Sequence, residues 1–178
     1  MTKQGKDKGF TIIEVALVLA VAALIFLVVF LAVPALQRNQ RNDAIKRDIS
    51  IVTTAVTSYS SNKNAMPKAT SKVVFNGTTK TGSGTDGTAL ANYIDALSNN
   101  VTTVEVKDAT ANGSNVTTTG MGTASSSDRA TITVWLNARC GTGPADVKLQ
   151  TGTGRSAAVV GAVELSGTAT EWYCQDAS

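Results

Sequence analysis

The chain has 178 residues, 43% of them hydrophobic and 16% charged, with a formal net charge of +3. It contains no histidine and only two cysteines. That removes the usual triad base, the commonest metal ligand and any complete zinc site. Most of the net charge is local, since Lys3, Lys6 and Lys8 outweigh Asp7 within the first nine residues. Overall basicity therefore gives no case for a nucleic-acid partner.

The stretch Lys8-Gly9-Phe10-Thr11-Ile12-Ile13-Glu14 opens an apolar run that reaches Leu36. Residues 10–36 make about 27 residues, or roughly 40 Å of helix, against a hydrocarbon core of about 30 Å. Between Lys8 and Arg38 the only charged side chain is Glu14. A carboxylate inside a membrane helix costs roughly 2.5–3.5 kcal/mol on insertion scales and so calls for a partner. Cutting the chain before Phe10 would create one, a cationic amine one helical turn away. A removable secretory signal fits poorly, because its apolar region is shorter and its small residues follow that region. An ordinary single-pass anchor fits the length but gives no reason for Glu14. The lysine cluster places the N-terminus on the cytoplasmic side and everything after residue 36 outside.

Lys8-Gly9-Phe10-Thr11, with Glu14 and an apolar helix behind it, resembles the N-terminal signature of type IV pilins and their pseudopilin relatives. The match is close over about the first thirty residues and loose to about residue 60. It implies a leader, residues 1–9, that a membrane prepilin peptidase removes between Gly9 and Phe10, followed by N-methylation of Phe10. It also implies that Glu14 pairs with the Phe10 amine, of its own chain or a neighbour, and sets axial register. The implied partners are further copies of the chain, joined through their N-terminal helices, and the pilus assembly machinery, with membrane lipid before assembly. No cofactor or metal is implied, and the chain is expected not to be an enzyme.

Along the helix, Ala16, Ala20, Ala22 and Ala23 offer small surfaces for close helix packing. Pro34 removes a backbone hydrogen bond and is expected to kink or locally melt the helix. It lies later than the proline common in the family. Beyond it, residues 37–61 read as the amphipathic half of the same helix. Ile45, Ile49, Val52, Val56 and Tyr59 recur at spacings of four and three, one apolar stripe. The stripe is expected to pack on the chain's own core, with a coiled coil as the alternative. Arg38, Arg41, Lys46 and Arg47 read as a solvated face, or as partners for acidic groups of neighbouring copies. Asn62, Asn64 and Pro67 mark a stop near Ser61.

Residues 62–178 turn Thr-, Ser- and Gly-rich, with short β-branched runs between turn signals. Strands are predicted at 72–76, 101–106, 131–136 and 158–165, with a short one at 171–174. Leu90, Ile94 and Leu97 predict a short helix, and 109–128 reads as an exposed loop. The fold class is α+β and pilin-like: a long N-terminal helix, half membrane-spanning and half amphipathic, packed on a small antiparallel sheet of about four strands. Cys140 and Cys174 both fall in the part expected to lie outside, which suits a disulfide. Pilins commonly staple their C-terminal loop this way; two buried free thiols are the alternative.

Gly82-Ser83-Gly84-Thr85-Asp86-Gly87 satisfies a G-x-G-x-x-G pattern, but polar residues separate it from the strand at 72–76. A dinucleotide site needs the glycines directly after a strand of a parallel βαβ unit. Asp146, Glu164, Glu171 and Asp176 are too scattered to predict a calcium site. Asn-x-Ser/Thr triplets at Asn76, Asn100, Asn112 and Asn115 are expected by chance in so Thr-rich a chain. The reading is a structural one: a precursor held in the cytoplasmic membrane that becomes a subunit of a surface filament. Adhesion, twitching motility, DNA uptake and secretion all use subunits of this form. A minor pilin or secretion pseudopilin shares the same helix signature, and a monomeric membrane-anchored binding module is the reading from a different class.

Overall fold

A computed structural model of the chain describes residues 9–77, 79–98, 100–109, 123–141, 149–165 and 169–177. The expected leader residues 1–8, Asn112, Asn115, Asp146 and most of the predicted loop 109–128 lie outside the described residues. The structure divides into two compact units, residues 1–39 and 40–178, and helix α1 (Ile12–Lys63) contributes to both.

In the first unit α1 is helical through Pro34. Its large apolar side chains are exposed, from 41% at Val33 to 91% at Ile12. This stretch is long and apolar enough to cross a membrane, and none of it is buried within the fold.

In the second unit the described strands are β1 (Lys72–Asn76), β2 (Thr79–Ser83), β3 (Thr103–Asp108), β4 (Thr131–Leu136), β5 (Ala138–Arg139), β6 (Gln150–Thr151), β7 (Ala157–Glu164) and β8 (Thr170–Ala177). Helix α2 (Gly87–Ala91) follows β2, and a 3-10 turn (Ser126–Ala130) precedes β4. Among the described residues six strands form one sheet in the order β2-β1-β3-β4-β7-β8, and β5 and β6 form a separate pair. The pairing is antiparallel except between β3 and β4, which run parallel.

The predicted stripe is the face of α1 that packs on the sheet. Ile45, Ile49, Val52, Val56 and Tyr59 are buried with Val73, Phe75, Val104, Val106, Ile132, Val134, Leu136, Val159 and Val163 in one core. A close approach falls at Gly161 in β7, where an added Cβ would lie 2.9 Å from Ile49 Cδ1. Burying a residue the size of Ile49 contributes roughly 1.5–3 kcal/mol, so the stripe dominates the hold on the sheet. Among the residues of α1, Asp48 adds a polar fixing: it is buried and accepts from Ser98 N–H at 3.0 Å and from Ser98 Oγ. The helix ends at Lys63, and Asn64 takes a left-handed φ of 52°. An asparagine in that conformation closes helices readily.

The opposite face of the sheet carries a smaller core of Ala109, Ala138, Leu149, Ala158 and Val160, packed by Trp135, Trp172, Cys140 and Cys174. Cys140 and Cys174 form a disulfide with a Cα–Cα separation of 5.8 Å.

The α+β expectation holds, with three corrections. The sheet is mixed: β3 and β4 run parallel, and parallel neighbours cannot be joined by a tight hairpin. Strand β2 lies in what reads as a polar loop; it is an edge strand, exposed along most of its length, and needs no apolar residue. The predicted helix through Leu97 stops at Ala91, and Ile94 reaches the same core from non-helical chain.

Candidate functional site

The N-terminal segment is built by a helix cap. Thr11 precedes the first helical residue, and Glu14 stands three positions later, the spacing of a capping box. Glu14 Oε2 accepts from Thr11 N–H and from Thr11 Oγ1, both at 2.8 Å, and Glu14 N–H donates back to Thr11 Oγ1 at 3.4 Å. Two orphan N–H groups at the helix start are thereby satisfied. The lone carboxylate thus has a partner within its own first turn, placed where the helix dipole favours a negative charge. The Thr-x-x-Glu spacing is the sequence signal for this helix start, and the same threonine is the carboxylate's partner. Gly9 and Phe10 lie just ahead of the helix and are exposed. Phe10, Val15, Leu17, Val18 and Leu19 line an apolar groove beside Glu14.

Arg41, Lys46 and Arg47 of α1 are exposed, as expected of a solvated face, and two of them also have partners on the chain's own sheet. Arg41 forms a bidentate pair with Glu164 at the end of β7, Nε to Oε1 at 2.9 Å and Nη2 to Oε2 at 2.8 Å. Arg129, from the 3-10 turn, binds the same carboxylate. Hydrogen bonds from Arg41 hold the Glu164 carboxyl below its ordinary pKa against partial burial, and the charge of Arg129 adds to the effect. Lys46 sits 5.3 Å from the ring centre of Tyr173, a cation–π contact. Arg47 and Asp43 stay exposed.

The remaining sequence candidates are placed as follows. Among the described residues no group of three or more Cys, Asp or Glu is arranged to hold a metal. Glu164 is engaged by two arginines, and Asp176 accepts from Cys140 N–H at 2.7 Å on the other face of the sheet. The glycine-rich stretch is separated from β1 as expected, but it follows β2 directly, because Gly82 and Ser83 end that strand. That strand pairs antiparallel with β1, however, and the glycines are filled by protein. A Cβ at Gly84, whose φ is 77°, would meet Thr70 O at 1.9 Å, and one at Gly82 would meet Gly87 C at 2.2 Å. These glycines let β2, α2 and the 70–72 backbone pack closely, which leaves no cradle for a phosphate.

No protein-family model, no curated protein and no solved structure matches this chain.

Proposed function

We propose that the chain is the precursor of a type IV pilus subunit, cut between Gly9 and Phe10 and polymerised through residues 10–36. The observation that carries this reading is an uncovered, membrane-length apolar helix with a single carboxylate in its first turn, directly behind Lys8-Gly9-Phe10. Such a surface is untenable in water. Lipid covers it in the precursor, and neighbouring copies cover it in the filament. Cleavage frees the Phe10 amine one turn from Glu14, and the carboxylate then has two competing partners: the Thr11 cap and an ammonium, its own or a neighbour's. An ammonium brought by an incoming subunit is the pairing that sets register. The disulfide-stapled unit that follows forms the outer surface of the filament and has no catalytic role.

The test is the intact mass and N-terminal residue of protein sheared from the cell surface, alongside a Glu14→Ala variant. The expected result is a chain beginning at N-methylated Phe10 in filaments, and a variant that is processed but yields none. A chain that keeps its first nine residues and is found only in membranes refutes the proposal and leaves an anchored monomer. Filaments from Glu14→Ala at the parental level refute the register role.

A further inference from the structure

We propose that the Glu164 cluster is a latch that holds one turn of α1, residues 40–44, and releases it while the rest of the helix stays docked. The argument lies wholly within the unit 40–178 and is independent of the pilin reading. Residues 40–44 contribute no buried side chain: Gln40, Arg41 and Asp43 are exposed, and Asn42 and Ala44 are half-buried. The buried stripe begins at Ile45. Detaching this turn therefore exposes little apolar surface, and the hydrophobic effect does not oppose it.

Among the described residues, four side-chain hydrogen bonds tie this turn to the sheet, and all end on one residue. Two are the Arg41 fork on the Glu164 carboxylate. The other two come from the Asn42 amide, which donates Nδ2 to Glu164 O and accepts Glu164 N–H at Oδ1, both at 2.8 Å. The backbone pair is available for a geometric reason. Leu165 N–H bonds Ala169 O toward β8, so the alternating residue Glu164 turns its N–H and C=O the other way. On that side β4 pairs with β7 only as far as Val160, and Asn42 takes the place of the missing strand. Arg129 grips the carboxylate from the 3-10 turn and keeps it positioned when α1 lets go.

A segment held by exposed and half-buried polar bonds, next to one held by a buried apolar stripe, is the pattern that opens locally below the global transition. Release stops at Ile45, where Lys46 on Tyr173 and Asp48 on Ser98 reinforce the apolar hold.

The experiment is amide hydrogen exchange, read by mass spectrometry on the full chain in detergent micelles. Parent, Asn42→Ala, Glu164→Gln and Ile49→Val are compared. Ile49→Val weakens the core without touching the latch. The expected result is exchange of the 40–44 amides at least tenfold faster in Asn42→Ala and Glu164→Gln. Amides of 52–59 and of β7 keep parental protection, and Ile49→Val leaves the 40–44 amides selectively unaffected. Two results overturn the latch: parental exchange at 40–44 in both latch variants, or a uniform rise across 40–59. Asn42→Ala keeps every charge, so it stands as the test should Glu164→Gln fail to fold.

Discussion

Gly161 and Ile49 offer a quantitative check on how α1 meets the sheet. Gly161→Ala places a methyl 2.9 Å from Ile49 Cδ1, 3.3 Å from Ile49 Cγ1 and 3.7 Å from Ile132 Cγ1. Overpacking of this kind costs about 1–3 kcal/mol. Gly161 does not have a left-handed φ, so alanine fits its backbone and recovers about 0.4–1 kcal/mol through a less flexible unfolded chain. The net expectation is a loss of about 1 kcal/mol. Ile49→Val removes the carbon that clashes most and by itself costs about 0.5–1.5 kcal/mol. In the double variant the new methyl occupies the space that Cδ1 vacates. The pair should therefore be no less stable than Ile49→Val alone, with a coupling of about 1 kcal/mol between the two sites. Urea unfolding followed by tryptophan fluorescence reads this directly, because both tryptophans, Trp135 and Trp172, lie in the sheet. Additivity within about 0.5 kcal/mol would show that α1 does not press on β7 at this point.

Three further outcomes follow from the same structure. Asp48→Ala strips both partners from Ser98 and should cost about 2–3 kcal/mol, whereas Ser98→Ala keeps the backbone bond and should cost about half as much; equal urea midpoints would contradict this. Reducing Cys140–Cys174, which closes a separation of 34 residues, should lower stability by about 3–4 kcal/mol on the chain-entropy estimate, read as a fall in midpoint when reductant is added. Glu164 and Glu105 both have depressed pKa values, Glu164 chiefly through Arg41 and Glu105 chiefly through Lys72, with Arg129 and Lys107 as the other facing charges. Of their register partners, Thr170 opposite Glu164 and Thr133 opposite Glu105 are uncharged, and the other neighbour of Glu105 is Lys72 itself. A depressed folded pKa means the stabilisation is complete above the unfolded value, near 4.3 for Glu, and is lost as pH falls through the folded one. The midpoint should stay flat from neutral pH to about 5 on this account and drop below it, and Glu105→Gln with Glu164→Gln should flatten the drop. An unchanged acid limb in that double variant would assign it elsewhere.

What was legible in the sequence followed from local periodicity. The stripe from Ile45 to Tyr59 is buried as the spacing required, and β1 and β4 fall on their predicted bounds. Strand β3 begins at Thr103, two residues late, because Val101 bonds back to Ser98 in a turn while still reaching the core. Strand β8 extends to Ala177, well beyond the apolar 172–174, since an edge strand with one covered face tolerates Gln175 and Asp176. Strand direction was not legible: whether β4 returns parallel to β3 depends on the path of a long connection, and no local pattern encodes that path. The Glu164 cluster was equally hidden, because Arg41 and Glu164 stand 123 residues apart and each alone reads as an ordinary surface charge.

The candidate site divides along the same line. Gly9, Phe10 and Glu14 are legible because their chemistry is written within seven consecutive residues, and Thr11 belongs with them through the capping spacing. The latch is legible only in three dimensions. This difference matters for how α1 works. The large apolar side chains of its first half are exposed, and on the proposed function they are covered by lipid or by another chain, which is then what constrains their sequence. Its second half is constrained by one core, and Gly161 is the point where that core leaves no room for a methyl. Between the two, residues 40–44 are bound only through polar groups. On the proposed function one end of α1 passes from lipid to protein cover while the other stays on the sheet, and such a helix needs a boundary that yields before its buried stripe does. Polar bonds converging on a single carboxylate provide one, because they can be exchanged for water at far lower cost than the stripe beginning at Ile45.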